Sequence, residues 1–253
     1  MKITFLGTGT SQGIPVIGCT HPVCLSDDPK DKRLRSAVML EWKDYRYIID
    51  CGMDFRQQML RENVSKIDGI IFTHEHADHT SGLDDIRPFS RAMGNVPLYV
   101  PERIRGNLEQ RFHYIFTKVN RYPGAPSAKI HVIENKPFTL GDKIMIPVEF
   151  IHGKLPIFGY RIENFAYLTD LKTISEKEKE KIRNLDVLVL NALQINSHPT
   201  HLNLSEALEL IEDLQPKKAY LTHINHYLGF HKAVESELPE NVYLAYDGLK
   251  LEL

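Results

Sequence analysis

The sequence is poor in cysteine, with three in 253 residues: Cys19, Cys24 and Cys51. A number that small and odd excludes a disulfide framework. In a reducing compartment, Cys19 and Cys24 read as possible ligands rather than as a bridge. No apolar run approaches the roughly 18 residues that a membrane span needs. The opening Met1-Lys2-Ile3-Thr4-Phe5-Leu6-Gly7 is too soon interrupted for a secretory signal and reads as a first strand. Neither sign of charge dominates, since 31 basic and 33 acidic side chains give a formal charge of −2. That balance argues against a general nucleic-acid coat or a membrane-surface binder, and leaves room for a local basic patch. Low-complexity tracts, internal repeats and linkers rich in Gly, Ser or Pro are missing too.

What remains is ordinary in composition, 42% apolar and 25% charged, in a chain long enough to bury a core without staples. Intrinsic disorder is thereby disfavoured. A single cytoplasmic domain over residues 1–253 is expected, with a symmetric homodimer as the base-rate assembly.

Periodicity predicts strands over 1–6, 36–42, 45–50, 69–72, 129–133, 143–150, 158–162, 165–168, 187–191, 219–222, 242–245 and 249–253. The second and third pair as a hairpin across Lys43-Asp44. Helices are predicted over 55–62, 102–120, 175–184 and 205–214, the last capped by Ser205. Residues 8–31 form a long loop dense in Gly, Pro and Cys. Strands dominate early and strand–helix alternation returns late. This pattern predicts two sheets between helices, with chemistry at strand ends.

Histidine is abundant, at 12 residues, and mostly clustered. The densest run is His74-Glu75-His76-Ala77-Asp78-His79, directly after an apolar stretch. His74 and His76 are two apart, so on extended backbone they project to the same side. Four candidate ligands in six residues exceed any core-histidine pattern. Imidazoles with a carboxylate suit Zn²⁺, Mn²⁺ or Fe²⁺, and without a metal several polar groups would need other partners. Further ligands must come from distant strand ends. His152, Asp170 and His223 each stand where an apolar run stops.

This constellation, with the early Ile48-Ile49-Asp50-Cys51-Gly52, resembles the metallo-β-lactamase superfamily over nearly the whole chain. The resemblance implies an α/β fold, a four-layer αββα sandwich holding two divalent metals (zinc or manganese, with iron a third candidate). It assigns His74, His76 and His152 to one metal, Asp78, His79 and His223 to the other, and Asp170 as the bridge. Asp50 resembles the acid that orients a ligand histidine by fixing its tautomer. Two metals about 3.5–4 Å apart generate hydroxide near neutral pH, which favours hydrolysis by a metal-bridging hydroxide that Asp78 can also touch. Asp170 argues against the true lactamases, and Asp78 with His79 against the di-iron oxidases.

Within the superfamily, Phe5-Leu6-Gly7-Thr8-Gly9-Thr10-Ser11-Gln12-Gly13 resembles the opening of tRNase Z and of the PhnP phosphodiesterases. The loop Ile14-Pro15-Val16-Ile17-Gly18-Cys19-Thr20-His21-Pro22-Val23-Cys24 is PhnP-like, with His21 where that family carries its middle cysteine. Cys19, His21 and Cys24 leave one tetrahedral position open. His226, three residues after His223, is the expected closure of a structural zinc site. Arg35 and Ser36 are the best-placed phosphate binders of the basic run 30–36, most of which reads as a solvated loop. The family pattern puts a histidine at the position of His201, a candidate general acid for the leaving alkoxide. The expected substrate is a small or cyclic phosphodiester. The alternatives are tRNA 3′-end processing, disfavoured because the insertion at about 102–128 is helical rather than a Gly/Pro-rich arm, a glyoxalase II-type thioesterase, and a metal-binding scaffold or sensor without turnover.

Overall fold

A computed structural model describes every residue except Lys118. The chain divides into two compact units.

The first unit comprises Met1–Leu6, Ala37–Glu134 and Lys250–Leu253. Its strands are β1 (Lys2–Gly7), β2 (Ala37–Trp42), β3 (Tyr45–Ile49), β4 (Gly69–Ile71), β5 (Val96–Pro101), β6 (Ala128–Ile133) and the last strand of the chain, β14 (Lys250–Glu252). They form one mixed sheet in the order β14-β1-β2-β3-β4-β5-β6. β2 and β3 make the expected hairpin, and β3 to β6 run parallel. Parallel strands bring their C-terminal ends to one edge, where loops gather functional groups. Helices Phe55–Arg61, Arg87–Met93 and Glu102–Arg111 pack Phe55, Phe89, Ile104 and Leu108 against Ile48, Ile70, Leu98 and their neighbours. β5 was not among the predicted strands because Pro97 and Pro101 interrupt it, and proline removes a ladder donor. The predicted helix over 102–120, of which Lys118 lies outside the described residues, is two pieces, Glu102–Arg111 and His113–Phe116, broken at Phe112 (φ −120°). The aromatic and β-branched run 112–117 has weak helix propensity.

The second unit comprises Gly7–Ser36 and Asn135–Leu249. β7 (Phe138–Leu140), β8 (Lys143–His152), β9 (Leu155–Ile162) and β10 (Phe165–Leu168) form an antiparallel meander. β11 (Val187–Asn191), β12 (Lys218–Thr222) and β13 (Val242–Leu244) then add parallel to β10. The amphipathic helix Leu204–Leu214 buries Ala207, Leu210, Ile211 and Leu214. Its cap is Asn203, not Ser205. The Asn203 side chain accepts from the Glu206 amide and the Glu206 carboxylate accepts from the Asn203 amide, a full capping box that places the cap two residues before Ser205. The charged helix predicted over 175–184 is one turn, Glu176–Lys179, followed by a 3₁₀ turn, Glu180–Ile182. The long loop is pinned through Gly9, where an added Cβ would lie 2.9 Å from the Arg33 carbonyl oxygen, so only glycine fits.

Candidate metal centres

In the first unit, the ends of β3 and β4 are stitched to the histidine run. Asp50 follows β3 in the left-handed region at φ 66°, a conformation that costs a non-glycine residue energy and recurs at functional sites. The Cys51 amide donates to the His79 carbonyl (2.8 Å) and the Gly82 amide to the Cys51 carbonyl (2.9 Å). A Cβ on Gly82 would come within 2.1 Å of the Gly52 carbonyl oxygen, so this close crossing demands glycine.

The Asp50 carboxylate is fully buried and has three donors. It accepts from the Thr73 amide (2.9 Å), from the Thr73 hydroxyl (2.9 Å) and from His79 Nδ1 (2.6 Å). Burial pushes its pKa up, opposed by His79 and by the Thr73 hydrogen bonds. The Thr73 hydroxyl has one proton and gives it to Asp50. Its contact with His74 Nδ1 (2.9 Å) is therefore one in which His74 donates. Both rings are thus held with Nδ1 protonated and Nε2 unprotonated. His74 Nε2 faces His76 Nδ1 at 3.0 Å, and His79 Nε2 faces Asp78 Oδ2 at 3.1 Å. Converging nitrogen and carboxylate donors are the chemistry of a divalent cation.

The second unit repeats the device. Thr169 gives its hydroxyl proton to Asp170 Oδ2 (2.6 Å), so at His223 Nδ1 (3.3 Å) it accepts. His223 Nε2 then faces Asp170 Oδ1 at 3.2 Å and the Thr10 hydroxyl at 3.2 Å. His152 donates Nδ1–H to the Thr200 carbonyl (2.8 Å), which again leaves Nε2 as the unprotonated nitrogen. Asp170 and His223 both adopt positive φ, 63° and 54°, at the ends of β10 and β12. Asn191 clamps the next residue by accepting from the Leu171 amide and donating to its carbonyl. His201 joins this group, its ring 4.6 Å from that of His152 and 4.9 Å from that of His223. His152, Asp170 and His201 each offer a donor atom within 4.8 Å of the others. His201 Nδ1 is buried without a hydrogen-bond partner, 3.7 Å from Asp170 Oδ1.

Cys19, Cys24 and His226, also in the second unit, bring donor atoms within 4.8 Å of one another. His226 Nδ1 is buried and unpartnered, and the His21 amide donates to Cys19 Sγ at 3.4 Å. Two sulfurs and an imidazole suit zinc. His21 is not drawn into that trio. Its Nδ1 accepts from the Val23 amide, capping the short helix Pro22–Leu25, and its ring centre lies 5.0 Å from that of His226. Beside these residues opens a cavity of about 410 Å³, lined by Thr10, Ser11, Gln12, Cys19, His201 and Tyr227 among others. Arg35 Nε donates to the Ser11 carbonyl on that wall. Ser36 is buried and spends its hydroxyl on the Gly9 carbonyl.

Sequence reasoning passed over Thr73, Thr169 and Thr10. For Thr73 and Thr169 the available signal was a threonine directly before His74 and Asp170; Thr10, 213 residues from His223, left no local signal. It also left His231 without a role. That ring is buried, its Nδ1 is 3.1 Å from Arg33 Nη2, and its amide donates to Asp31.

A family model described as the beta-lactamase superfamily domain matches residues 45–224. The chain belongs to the metallo-β-lactamase superfamily. Its two mixed sheets flanked by helices are the α/β fold of that superfamily, as the sequence predicted. A crystal structure of a diphosphatase from the PhnP family is 42% identical, with a TM-score of 0.93 over 100% of this chain and 97% of that one. Human short-form tRNase Z, 19% identical with a TM-score of 0.70 over 100% and 99% of the two chains, shares the fold. An octanoyltransferase of Porphyromonas gingivalis is 36% identical over 99% of this chain and 51% of its own length. A ribonuclease Z of Prochlorococcus marinus is 26% identical over 83% of this chain and 60% of its own length. The chain therefore spans about half to three-fifths of these two relatives. Together the superfamily and these neighbours support a metal-dependent hydrolase. Among the described residues, no helix is long and apolar enough to cross a membrane.

Proposed function

We propose that this superfamily member is a dinuclear metal-dependent phosphodiesterase acting on a small or cyclic phosphodiester. The observation that carries the reading is the paired threonine device. In each unit a threonine hands its proton to a buried aspartate and thereby fixes a histidine with Nδ1 protonated and Nε2 available as a donor atom. His74, His76 and His152 would hold one divalent metal and Asp78, His79 and His223 the other, with Asp170 shared between them. When bound, two such metals supply Lewis acidity at phosphorus and acidify water near neutral pH. Asp78 orients the attacking water. Cys19, Cys24 and His226 would hold a structural zinc that fixes one wall of the cavity, and His21, whose Nδ1 is taken by the Val23 amide, would be the fourth donor through Nε2.

His201 is the proposed general acid. Burial pushes its pKa down to about 3, against the pull of Asp170, so the free ring is neutral at working pH. A phosphodiester monoanion beside it stabilises the protonated ring, so the acid is charged in the complex rather than in the free protein. Arg35 serves the substrate by holding the Ser11 turn and by its positive charge, with Ser36 supporting the backbone beneath it.

The ribonuclease Z relatives favour a second reading, cleavage of an RNA phosphodiester at the same centre. The residues after β5 form the helix Glu102–Arg111 rather than an extended Gly/Pro-rich arm, which favours the small substrate. The octanoyltransferase is about twice as long as this chain, and its unmatched half is large enough for a separate acyl-transfer domain. The deciding assay presents zinc- and manganese-loaded protein with bis-p-nitrophenyl phosphate, 2′,3′-cyclic nucleotides, a ribose 1,2-cyclic phosphate, pre-tRNA and S-lactoylglutathione. Turnover of the cyclic phosphodiesters well above the others is expected. Preference for pre-tRNA moves the assignment to RNA processing, and preference for the thioester removes phosphodiester chemistry.

A further inference from the structure

The helix Glu102–Arg111 does more than fill space beside β5. Ile104 and Leu108 turn into the core of the first unit. Arg103, Asn107 and Arg111, four apart, share another face. That face meets the histidine run. Arg103 reaches Glu75, the residue between His74 and His76, with a parallel fork, Nη1 to Oε1 and Nη2 to Oε2 at 2.5 and 2.6 Å. Such two-pronged pairs fix orientation as well as distance. Arg111 grips both ends of the run. Nη1 donates to the Glu75 carbonyl (3.0 Å) and to the Thr80 hydroxyl (2.9 Å), and Nη2 donates to the Ser81 hydroxyl (3.1 Å). The Thr80 hydroxyl in turn donates to the His76 carbonyl (2.9 Å). Asn107 steadies Arg111 from the same face.

We propose that Arg103 and Arg111 are positioning residues that hold the backbone of 74–81 in the ligating shape, so that the helix sets how tightly the histidine run binds metal. This rests on the dinuclear reading above. The run is a short loop and a single helical turn, Ala77–Thr80, too brief to hold four side chains by its own hydrogen bonds. His76 is exposed, so packing does not orient it either. The guanidinium groups supply the missing constraint from a rigid neighbouring element. Outer contacts of this kind are worth about 10- to 100-fold in metal affinity.

The test titrates Co²⁺ into the metal-stripped full chain, followed by visible absorption and chelator competition, for the wild type, Arg111→Ala, Arg103→Ala, Glu75→Gln and the double variant Arg103→Ala/Glu75→Gln. Each single variant is expected to lose about tenfold or more in cobalt affinity at the non-thiolate sites. The double variant should be no weaker than the poorer single, because both remove one contact. Activity lost at limiting metal should return at saturating metal, a recovery that general misfolding would not allow. If Arg111→Ala does not fold, Glu75→Gln at its partly exposed site decides by the same readout. Wild-type affinity in a folded Arg111→Ala or in Glu75→Gln overturns the clamp alone. A wild type that takes up no cobalt outside the thiolate site overturns the dinuclear reading, and the clamp with it.

Discussion

His79 Nδ1 lies 2.6 Å from Asp50 Oδ2, with both side chains fully buried. Asp50 also takes the Thr73 hydroxyl proton, so one carboxylate determines the tautomer of two histidines, His79 directly and His74 through Thr73. Replacing Asp50 by Asn is expected to disturb both rings, because an amide both donates and accepts. Thr73→Val keeps the shape and the amide hydrogen bond to Asp50, and removes the hydroxyl that donates to Asp50 and accepts from His74. Metal affinity should fall by about 10-fold for Thr73→Val and further for Asp50→Asn. Isothermal titration of stripped protein with zinc checks the order; equal affinities for wild type and Thr73→Val would remove the relay.

Asp170→Asn addresses the carboxylate proposed to be shared between the metals. The variant keeps an oxygen but loses the charge that faces His223 and His201. A fall in phosphodiesterase kcat of about 100-fold or more, with less than the wild-type metal content, is expected from losing a dinuclear clamp. Steady-state kinetics with parallel elemental analysis read both quantities.

His201→Ala separates the general acid from metal binding. A good leaving group needs little protonation, so p-nitrophenyl esters should lose less activity than alkyl phosphodiesters. The expected gap is about 10-fold or more between the two classes. Equal losses on both would move His201 from acid to ligand.

Cys24→Ser tests the thiolate site. It should cost about one tightly held zinc per chain and lower the unfolding midpoint, since metal bound only by the folded state stabilises it. Zinc content by plasma emission, with a thermal melt on the same sample, settles the matter. Unchanged zinc would sink the site.

Acid stability follows from His231. Burial and the facing Arg33 guanidinium push its pKa down to about 4, below the ordinary value near 6.5. Arg33 can only donate, so Nδ1 must accept and the ring must be neutral when folded. Between those two pH values the unfolded ring binds a proton that the folded ring refuses. The stability contribution is complete above about pH 6.5 and drains as pH falls toward 4. His231→Gln keeps an acceptor without the titration. Its melting midpoint should decline less steeply across that interval, measured by circular dichroism in matched-salt buffers.

The sequence alone determined a good deal about this protein. Ligand-rich residues packed into His74–His79 announce themselves without coordinates, because polar groups at that density have few other uses. Period-two apolar runs marked most strands, and their polar ends marked Asp50, His152, Asp170 and His223 as residues of interest. These features are local, carried by residue type and spacing. Other features were decided by residues distant in the chain. That His226 stands with the cysteines depends on where the turn after β12 brings it, and that His21 stands outside their trio follows from the Val23 amide that occupies its Nδ1. The threonine relays needed a carboxylate 23 residues away in one unit and a histidine 54 residues away in the other. Arg111 found Glu75 across 36 residues only because its helix packs beside β5, a strand that its prolines had hidden. Composition and periodicity report what a residue can do. Which proton it holds and which way it points are set by hydrogen-bond partners, and those become neighbours only on folding.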